Sequence, residues 1–568
     1  MSDLSPTATR RGPLLSADER LLILLRWLGL AFLAIAFLAP VALILGRAMQ
    51  DMEGDFTGLA NIIALLESPA LARSVWNSVW TGAVTVLIVV PLAFIQAYAL
   101  TRAHIPGKRF FRAVMLVPIL APSLLPALAL IYLFGNQGLL KPLLLGGSIY
   151  GPGGIVIAQC FYTFPHAALI LGVALSHADA RLYEAADVLK AGPWRRFATI
   201  TLPSAGYGLV AAAMVVFALV VTDFGIPKVI GGQFDVLATD VYKQVVGLQD
   251  VNMGATVGLA LLLPAFAAFL AESWTRRRRT GTLSGRAVPL TPRPRPARDV
   301  PLFLACAAIA GLLLAITGVA FWGSLVRYWP WNLELTFESY DFARFDADGW
   351  GAVWTSLRLA TGAALLGTPV VFIIAYAIER GPAGSRLRPL LSLIATLPLA
   401  IPGLVLGLGY ILFFNHPANP LNLLYGSLAL LMLNCVTHFY SVAHLTASTA
   451  IRRLDPEFEA VGASLKVPLW RTFGLVTLPI CLPAILDIAV YLFVNAMTTV
   501  SAVIFLYGPG TKPASVAVLQ MDEAGQASAA AAMACTILAV TSAVKILQVA
   551  ASGLVDRLTQ GWRQRRTA

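Results

Sequence analysis

The segment 179–203, DARLYEAADVLKAGPWRRFATITLP, has a counterpart at 455–479, DPEFEAVGASLKVPLWRTFGLVTLP. The two segments align without a gap, because Trp194 and Trp470 are as far apart as Pro203 and Pro479. Each segment is rich in charged residues, while the sequence on both sides of it is apolar over lengths sufficient for a membrane helix. The chain is therefore predicted to consist of two related halves, each with one such loop between two transmembrane helices.

The composition places the chain in a lipid bilayer. Hydrophobic residues make up 58% of it and charged residues 12%, where a soluble domain carries roughly a quarter of charged residues. A helix needs about 20 apolar residues to cross the hydrocarbon core. About twelve such spans are predicted near 27–45, 75–99, 111–134, 154–176, 206–222, 254–271, 302–325, 354–377, 389–413, 427–450, 484–505 and 527–548. The predicted fold class is an all-α polytopic membrane protein.

Six spans fall in each half, and the sequence between the halves sets the domain limits. A basic, proline-rich linker, 273–300, separates a first domain, 27–272, from a second, 301–550. The composition of the linker cannot bury a core and is typical of an extended connection. A short segment, 1–26, precedes the first domain, and a basic tail, 551–568, follows the second. Six spans return the chain to the side where it started, so the halves are predicted to be parallel repeats.

The net charge of +12 is distributed unevenly. Most Lys and Arg fall on the loops and ends of one side, including the run of four arginines at 276–279 after the sixth span. The positive-inside rule assigns that side to the cytoplasm. We therefore expect segment 1–26, the linker and the tail to be cytoplasmic, with both termini on that side of a bacterial inner membrane. Under this interpretation the basic residues anchor the topology, and no nucleic-acid partner is expected.

The segment 179–203 contains Glu184-Ala185-Ala186 and closes with Ile200-Thr201-Leu202-Pro203. It resembles the EAA loop, E-A-A-x3-G-x9-I-x-L-P, of type I permeases of ATP-binding-cassette (ABC) importers. The resemblance extends over essentially the whole chain as two tandem permease domains, with EAA loops at 179–203 and 455–479. It implies a binding-protein-dependent importer subunit that works with two ABC ATPase subunits, a periplasmic or extracellular solute-binding protein and a small-molecule substrate.

The resemblance assigns ATPase coupling to residues of both loops. They are Glu184, Ala185, Ala186 and Lys190 in the first loop and Glu459, Ala460 and Lys466 in the second, with Pro203 and Pro479 closing the loops. Two departures from the motif stand out. Its glycine is replaced by lysine in both halves, which suggests a helix extension or an added contact to the ATPase. In the second half the glutamate comes one place early, which favours Glu184 over Glu459 as a docking residue.

No energy-converting site is found in the sequence. A phosphate-binding loop requires G-x-x-x-x-G-K-[ST], which the chain lacks. We therefore predict that the chain is not an enzyme and binds no cofactor, and that a partner ATPase uses ATP and magnesium. The five cysteines and six histidines show no metal-ligand spacing, so no metal site is expected.

The substrate is predicted from short stretches only. The chain resembles the ferric-iron, thiamine and 2-aminoethylphosphonate branches of the family, and segments 221–225, 234–242 and 497–503 favour 2-aminoethylphosphonate. Ferric iron and thiamine remain alternatives, and an ion-coupled secondary transporter is the alternative of another class. Polar residues near the outer end of the fifth span of each half are candidates for lining the pore. They are Thr222, Asp223, Thr498 and Thr499. For Asp223 the competing interpretation is a helix end, and Asp487 receives no substrate role.

Overall fold

The computed structural model describes residues 16–51, 53–176, 179–279, 292, 294–382, 385–455 and 457–559. Within these ranges nine helices have the length and hydropathy of a membrane span, and three bent helix pairs raise the number to twelve. Spans 1 to 6 are Ala17–Arg47, Pro69–Arg102, Lys108–Leu120 with Leu124–Phe134, Pro152–Ser176, Pro193–Thr222 and Val251–Ala271. Spans 7 to 12 are Pro296–Leu325, Trp350–Arg380, Leu387–Ala400 with Gly403–Phe414, Leu428–His438 with Tyr440–Arg452, Leu469–Thr498 and Ala527–Leu554. The all-α polytopic prediction is confirmed. Most of segment 1–26, much of the linker and the end of the tail lie outside the described residues.

Spans 3 and 9 are broken near their middle, and proline explains why. The two helices of span 3 meet at 98° and those of span 9 at 111°. Pro122 and Pro402 stand at the breaks. A residue before proline is pushed out of the helical region by the proline ring, and both Ala121 (ψ 145°) and Ile401 (ψ 118°) are extended. The matched prolines of the two halves therefore produce matched bends.

The predicted eleventh span, 484–505, ends too late. The helix stops at Thr498, and Thr499 is extended. The apolar stretch beyond it is buried in turns and leads to a further helix, Ala514–Glu523. The first half has the equivalent excursion after Thr222, with helices Gly225–Ile230 and Leu237–Tyr242. These segments fill the side of the bundle opposite the two loops, which we call the far side.

A short antiparallel hairpin, β1 (Val326–Tyr328) and β2 (Asn332–Leu335), follows span 7 on the far side. Within the described residues these are the only two strands. The hairpin carries Arg327, which pairs with Glu334 at 3.2 Å and with Glu338 at 2.8 Å. All three side chains are exposed, so these pairs contribute little to stability.

The first span of each half packs against the other half. Span 1 lies on spans 8 and 9 of the second half, and span 7 lies on spans 2 and 3 of the first. Each half therefore completes the helix packing of its partner. The linear domain limits read from the sequence do not mark two separately packed bodies.

Arg26 fixes span 1 to the second half. Its side chain is fully buried and donates from Nε to the Ala377 carbonyl at 2.8 Å. Its terminal nitrogens donate to the carbonyls of Pro382 at 3.0 Å and Ile378 at 3.2 Å. These acceptors lie at the end of span 8, where the last carbonyls of a helix lack helical partners, although Ala377 also accepts from the Gly381 amide at 3.1 Å. One guanidinium thus caps that helix from the opposite half.

Arg26→Met is expected to destabilise the folded chain by about 3 kcal/mol, because charge-assisted hydrogen bonds contribute roughly 1.5–3 kcal/mol each and buried carbonyls would lose partners. Thermal unfolding of the purified protein in detergent would measure the loss. Arg20→Met is the matched control, since Arg20 is exposed on the same helix. Equal melting temperatures for Arg26→Met and the wild type would contradict this role.

Candidate functional site

The first loop is built as two short helices between spans 4 and 5. Helix Ala180–Val188 begins at Asp179, whose carboxylate accepts from the Arg181 amide at 3.1 Å. A second short helix, Pro193–Arg196, follows it. A single π-helical turn, Phe197–Thr201, which we call the wide turn, then joins this helix to the main part of span 5, Leu202–Thr222. Glu184 and Ala185 are exposed, while Ala186 is buried against the protein.

The second loop repeats this architecture between spans 10 and 11. Helix Glu457–Ser464 is followed by helix Leu469–Thr472 and the same wide turn. Lys190 and Lys466 are exposed. The backbone of Ala460 lies in the loop helix, and its side chain lies outside the described part. Pro203 and Pro479 are the second residues of the helices that follow the wide turns.

Both loops expose large apolar side chains beside their polar ones. Trp194 is 76% exposed and Trp470, its counterpart, 63%. The other exposed apolar side chains are Leu182, Val188 and Leu189 in the first loop and Phe458, Val461 and Leu465 in the second. An apolar patch that ends in charged residues is typical of a protein-protein contact. The two loops therefore present matched exposed surfaces on one side of the bundle, which are candidates for docking a partner.

The lysines at the glycine position of the motif keep the conformation of a glycine. Lys190 has φ 50° and Lys466 has φ 54°, both in the left-handed region. The following amides close the helices, with Ala191 donating to the Ala186 carbonyl at 2.9 Å and Val467 to the Gly462 carbonyl at 2.8 Å. This is the usual left-handed helix end. The predicted helix extension is wrong, because both helices end two residues before the lysine.

Lys190→Gly is expected to preserve transport and raise stability by about 1 kcal/mol, because an L-residue pays roughly that to be left-handed. Lys190→Val is expected to lower both, since a β-branched side chain is least tolerated there. Thermal unfolding and substrate uptake of the two variants provide the measurement. If Lys190→Val matched Lys190→Gly in melting temperature and in uptake, the left-handed turn would contribute neither to stability nor to transport.

Glu459 is tied to the bundle of its own half. Its carboxylate lies 3.2 Å from Nε of Arg380 and accepts from the Tyr376 hydroxyl at 3.3 Å. The side chains of Arg380 and Glu459 are 10% and 25% exposed. Burial raises the pKa of Glu459 above its ordinary value, and the nearby Arg380 charge opposes that rise. This glutamate therefore faces the bundle.

The first half has the same junction with different chemistry. Arg102 corresponds to Arg380, since each arginine ends its span four residues after the matched tyrosine. The Arg102 guanidinium lies over the ring of Tyr183, 5.1 Å from its centre, and donates to the Leu175 carbonyl. The Tyr183 hydroxyl is 2.9 Å from Thr201 Oγ1. Tyr183 thus occupies the place of Glu459, and Glu184 remains exposed.

The candidate pore residues at the ends of the fifth spans are largely bound to their own backbone. Asp223 caps helix Gly225–Ile230, accepting from the Ile226 amide at 3.1 Å and from Gln159 Nε2 at 2.9 Å. This is the helix-end interpretation of Asp223. Thr222 and Thr498 donate to carbonyls one turn earlier at 2.8 and 2.9 Å. Thr499 is buried.

The two halves meet on the far side. Lys228 pairs with Glu523 at 2.7 Å, and the rings of Tyr242 and Phe505 stack with centres 6.1 Å apart. Each pair joins the segments that follow the fifth span of either half. These contacts join the two halves on the far side.

The chain matches a protein-family model. The model, described as binding-protein-dependent transport system inner membrane component, matches residues 89–281 and again 373–557. The chain belongs to this family. Each match contains one of the two loops, so the binding-protein-dependent permease unit occurs twice in one polypeptide.

Several relatives are named for the substrates of their transport systems. A ferric transport system permease protein of Actinobacillus pleuropneumoniae is 28% identical over 87% of this chain and 73% of the relative. A protein of Haemophilus influenzae, also named for ferric transport, is 30% identical over 81% of this chain and 74% of its own. A thiamine transport system permease protein of Brucella abortus is 27% identical over 68% of this chain and 70% of the relative.

Membership of the permease family defines the general role of the chain. It is the multi-pass inner-membrane permease of an ABC importer, with ATPase subunits and a periplasmic binding protein as partners. Such permeases lack an ATPase site, and a separate subunit hydrolyses ATP.

The junction between each loop and the bundle was not predicted from the sequence, although a matched arginine at the end of spans 2 and 8 marks it. This arginine follows the repeated Ala-Tyr-Ala in both halves.

Proposed function

We propose that this permease carries two ATPase subunits, one on each EAA loop, with both termini and both loops on the cytoplasmic side. The observation that supports this is the pair of matched exposed surfaces, with Trp194 in one and Trp470 in the other. A single loop would leave one ATPase site of a dimer uncoupled. The far side, with its contacts between the halves, then faces the binding protein.

The two loops dock by different contacts in this proposal. Both offer an apolar surface, to which the first adds the exposed carboxylate of Glu184 beside Ala185, while the second keeps Glu459 for the bundle. The exposed lysines, Lys190 and Lys466, add positive charge at both helix ends, where the helix dipole favours it. Both ATPase subunits are thus held, and their contacts are unequal.

We propose ferric iron, handed over by the binding protein, as the cargo. The relatives named for ferric transport, at 30% and 28% identity over most of the chain, support this choice. The second candidate is 2-aminoethylphosphonate, which the resemblance of segments 221–225, 234–242 and 497–503 favours. Thiamine, named for relatives at 27% identity, is the third.

Uptake by proteoliposomes containing the chain, its ATPase and its binding protein tests both proposals. We expect uptake of radiolabelled ferric iron that needs internal ATP and stops with vanadate. Uptake of labelled 2-aminoethylphosphonate or thiamine instead would replace the cargo. Uptake that persists without the ATPase and follows an ion gradient would make the chain a secondary transporter. Two ATPase copies per permease, counted by native mass spectrometry, would support the docking of one ATPase on each loop.

A further inference from the structure

The hairpin that follows span 7 has one polar and one apolar face. Successive side chains of a strand point to opposite faces of a sheet. On one face Arg327 pairs with Glu334 across the two strands. On the other face lie Tyr328 of β1 and Leu333 and Leu335 of β2, all exposed. The hairpin is therefore amphipathic, and the described residues leave most of its apolar face uncovered.

Two more large side chains extend this apolar face beyond the strands. Trp331, in the turn, is 75% exposed, and Phe337, just after β2, is 77% exposed. We call these two residues, together with Tyr328, Leu333 and Leu335, the hairpin surface. Single exposed apolar side chains are normal on a protein, whereas a cluster of large ones usually marks an interaction site. The hairpin surface therefore requires a partner.

Contacts inside the protein set the level of the hairpin relative to the spans. The Trp329 ring, in the turn, lies 5.2 Å from that of Trp322 in span 7 and 5.1 Å from that of Tyr132 in span 3, measured between ring centres. At the base of the hairpin, the Thr336 amide donates to the carbonyl of Leu325, the last residue of span 7, at 2.7 Å. Turn and base are thus both tied to the last turns of membrane spans. The hairpin lies beside the span ends and does not project away from them.

This level is that of the membrane interface. The hydrocarbon core gives way to headgroups near the ends of the spans. Tyr and Trp concentrate there, because their amphipathic rings fit the headgroup level. The neighbouring span ends also carry exposed aromatic rings, with Phe321 near the end of span 7 and Trp350 and Trp354 at the start of span 8. The hairpin surface therefore lies where it can meet lipid.

The two sides of the hairpin allow one orientation at this interface. The polar side carries Arg327, Glu334 and Glu338, all exposed, and a charged side chain is costly in the hydrocarbon region. Both sides are satisfied when the hairpin surface faces the lipid and the charged side chains face the water. A soluble partner would then approach the charged side. The hairpin surface is left to the lipid.

We propose that the hairpin is an interfacial anchor, with the hairpin surface bound to the headgroups and the adjoining acyl chains of the bilayer on the far side. Its partner is the lipid surface itself. Because span 7 packs on spans 2 and 3 of the first half, the anchor holds the far-side end of a helix that joins the two halves. The proposal goes beyond the proposed import function and does not depend on it.

The test compares adjacent positions on the two faces. Leu335→Cys carries a spin label on the apolar face, and Glu334→Cys, the matched control, carries one on the polar face. Leu335 is 62% exposed and the Glu334 side chain 65%. The full chain is placed singly in lipid nanodiscs, and the unsubstituted chain gives the background from its five native cysteines. Collisions of each label with oxygen, which dissolves in the bilayer, and with a water-soluble nickel chelate are measured with and without the loaded binding protein.

We expect the oxygen-to-nickel ratio of Leu335→Cys to exceed that of Glu334→Cys by about tenfold, because polar solutes are largely excluded from apolar surroundings. The binding protein is expected to leave both ratios unchanged. Equal ratios at the two positions would place the hairpin surface in water and overturn the proposal. So would a label at Leu335→Cys that loses its contact with nickel only when the binding protein is added, since the surface would then belong to that partner.

Leu333→Cys repeats the measurement on the apolar face and keeps the proposal testable if Leu335→Cys lowers the melting temperature. A label at Leu333→Cys that collides with nickel as often as the label at Glu334→Cys would overturn the anchor. No cargo is transported in this experiment, so its failure does not bear on the proposed import function. Failed uptake of every cargo would likewise leave the anchor intact.

Discussion

Glu184→Lys is expected to abolish coupled transport while leaving the permease in the membrane. The Glu184 carboxylate is exposed on the first loop beside the exposed Ala185. Glu459 of the second loop pairs with Arg380 and so holds its loop to the bundle, and Glu184 has no comparable role in the first loop. In a docked interface a charge without its partner costs roughly 2–5 kcal/mol. That range corresponds to a loss of about thirtyfold to several thousandfold in affinity.

The measurement combines uptake, stimulated ATP hydrolysis and co-purification of the ATPase. Glu184→Gln keeps the shape and is expected to fall between the wild type and Glu184→Lys. Glu53→Lys is the matched control for co-purification of the ATPase, because Glu53 is an exposed glutamate on the loop between spans 1 and 2, away from both EAA loops. Normal uptake by Glu184→Lys would refute the docking role of this residue.

Features with a local cause could be predicted from the sequence. The bends of spans 3 and 9 follow from Pro122 and Pro402, because proline acts on the residue beside it. The offset between the glutamates was also visible, since Glu459 aligns with Tyr183 and not with Glu184. The structure adds the consequence, which is that these two residues occupy the same junction with the bundle.

Features that depend on distant contacts could not be predicted. In the sequence, Arg26 lies at the end of a span, where basic residues usually anchor the topology. In the structure its side chain is buried and donates to carbonyls such as that of Ala377, some 350 positions further along the chain. The end of span 11 was missed for a related reason. Residues 499–505 are apolar enough for a helix, but they are buried by packing in turns. Hydropathy reports burial and does not distinguish a span from a re-entrant segment.

The cytoplasmic ends of the two halves also differ in how firmly they hold their loops. In the second half Arg380 joins three elements, because Nη2 donates to the carbonyls of Ile451 and Leu454, both at 2.9 Å, while Nε approaches Glu459. In the first half Arg102 meets the neutral ring of Tyr183. An ion pair loses much more than a cation-π contact when its arginine is removed, because an uncompensated charge is left behind.

Arg380→Ala is therefore expected to destabilise the second loop by about 3 kcal/mol or more, the usual result of breaking a mostly buried pair, and to reduce uptake by at least about tenfold. Arg102→Ala is expected to have a smaller effect, because Tyr183 remains neutral. Protease sensitivity of the two loops in membranes, read together with uptake, measures the difference. Arg388→Ala is the control, since its side chain is 38% exposed and lies 3.5 Å from Glu379.

The double variant Arg380→Ala with Glu459→Ala separates the two consequences of losing the arginine. Removing the stranded carboxylate is expected to recover part of the stability lost in Arg380→Ala, because no unpaired charge remains at the junction. Uptake is expected to stay low, since the loop helix has then lost its link to spans 8 and 10. Recovery of uptake along with stability would show that the arginine serves only to neutralise Glu459. Motion of the ATPase would then reach the bundle through the wide turn into span 11.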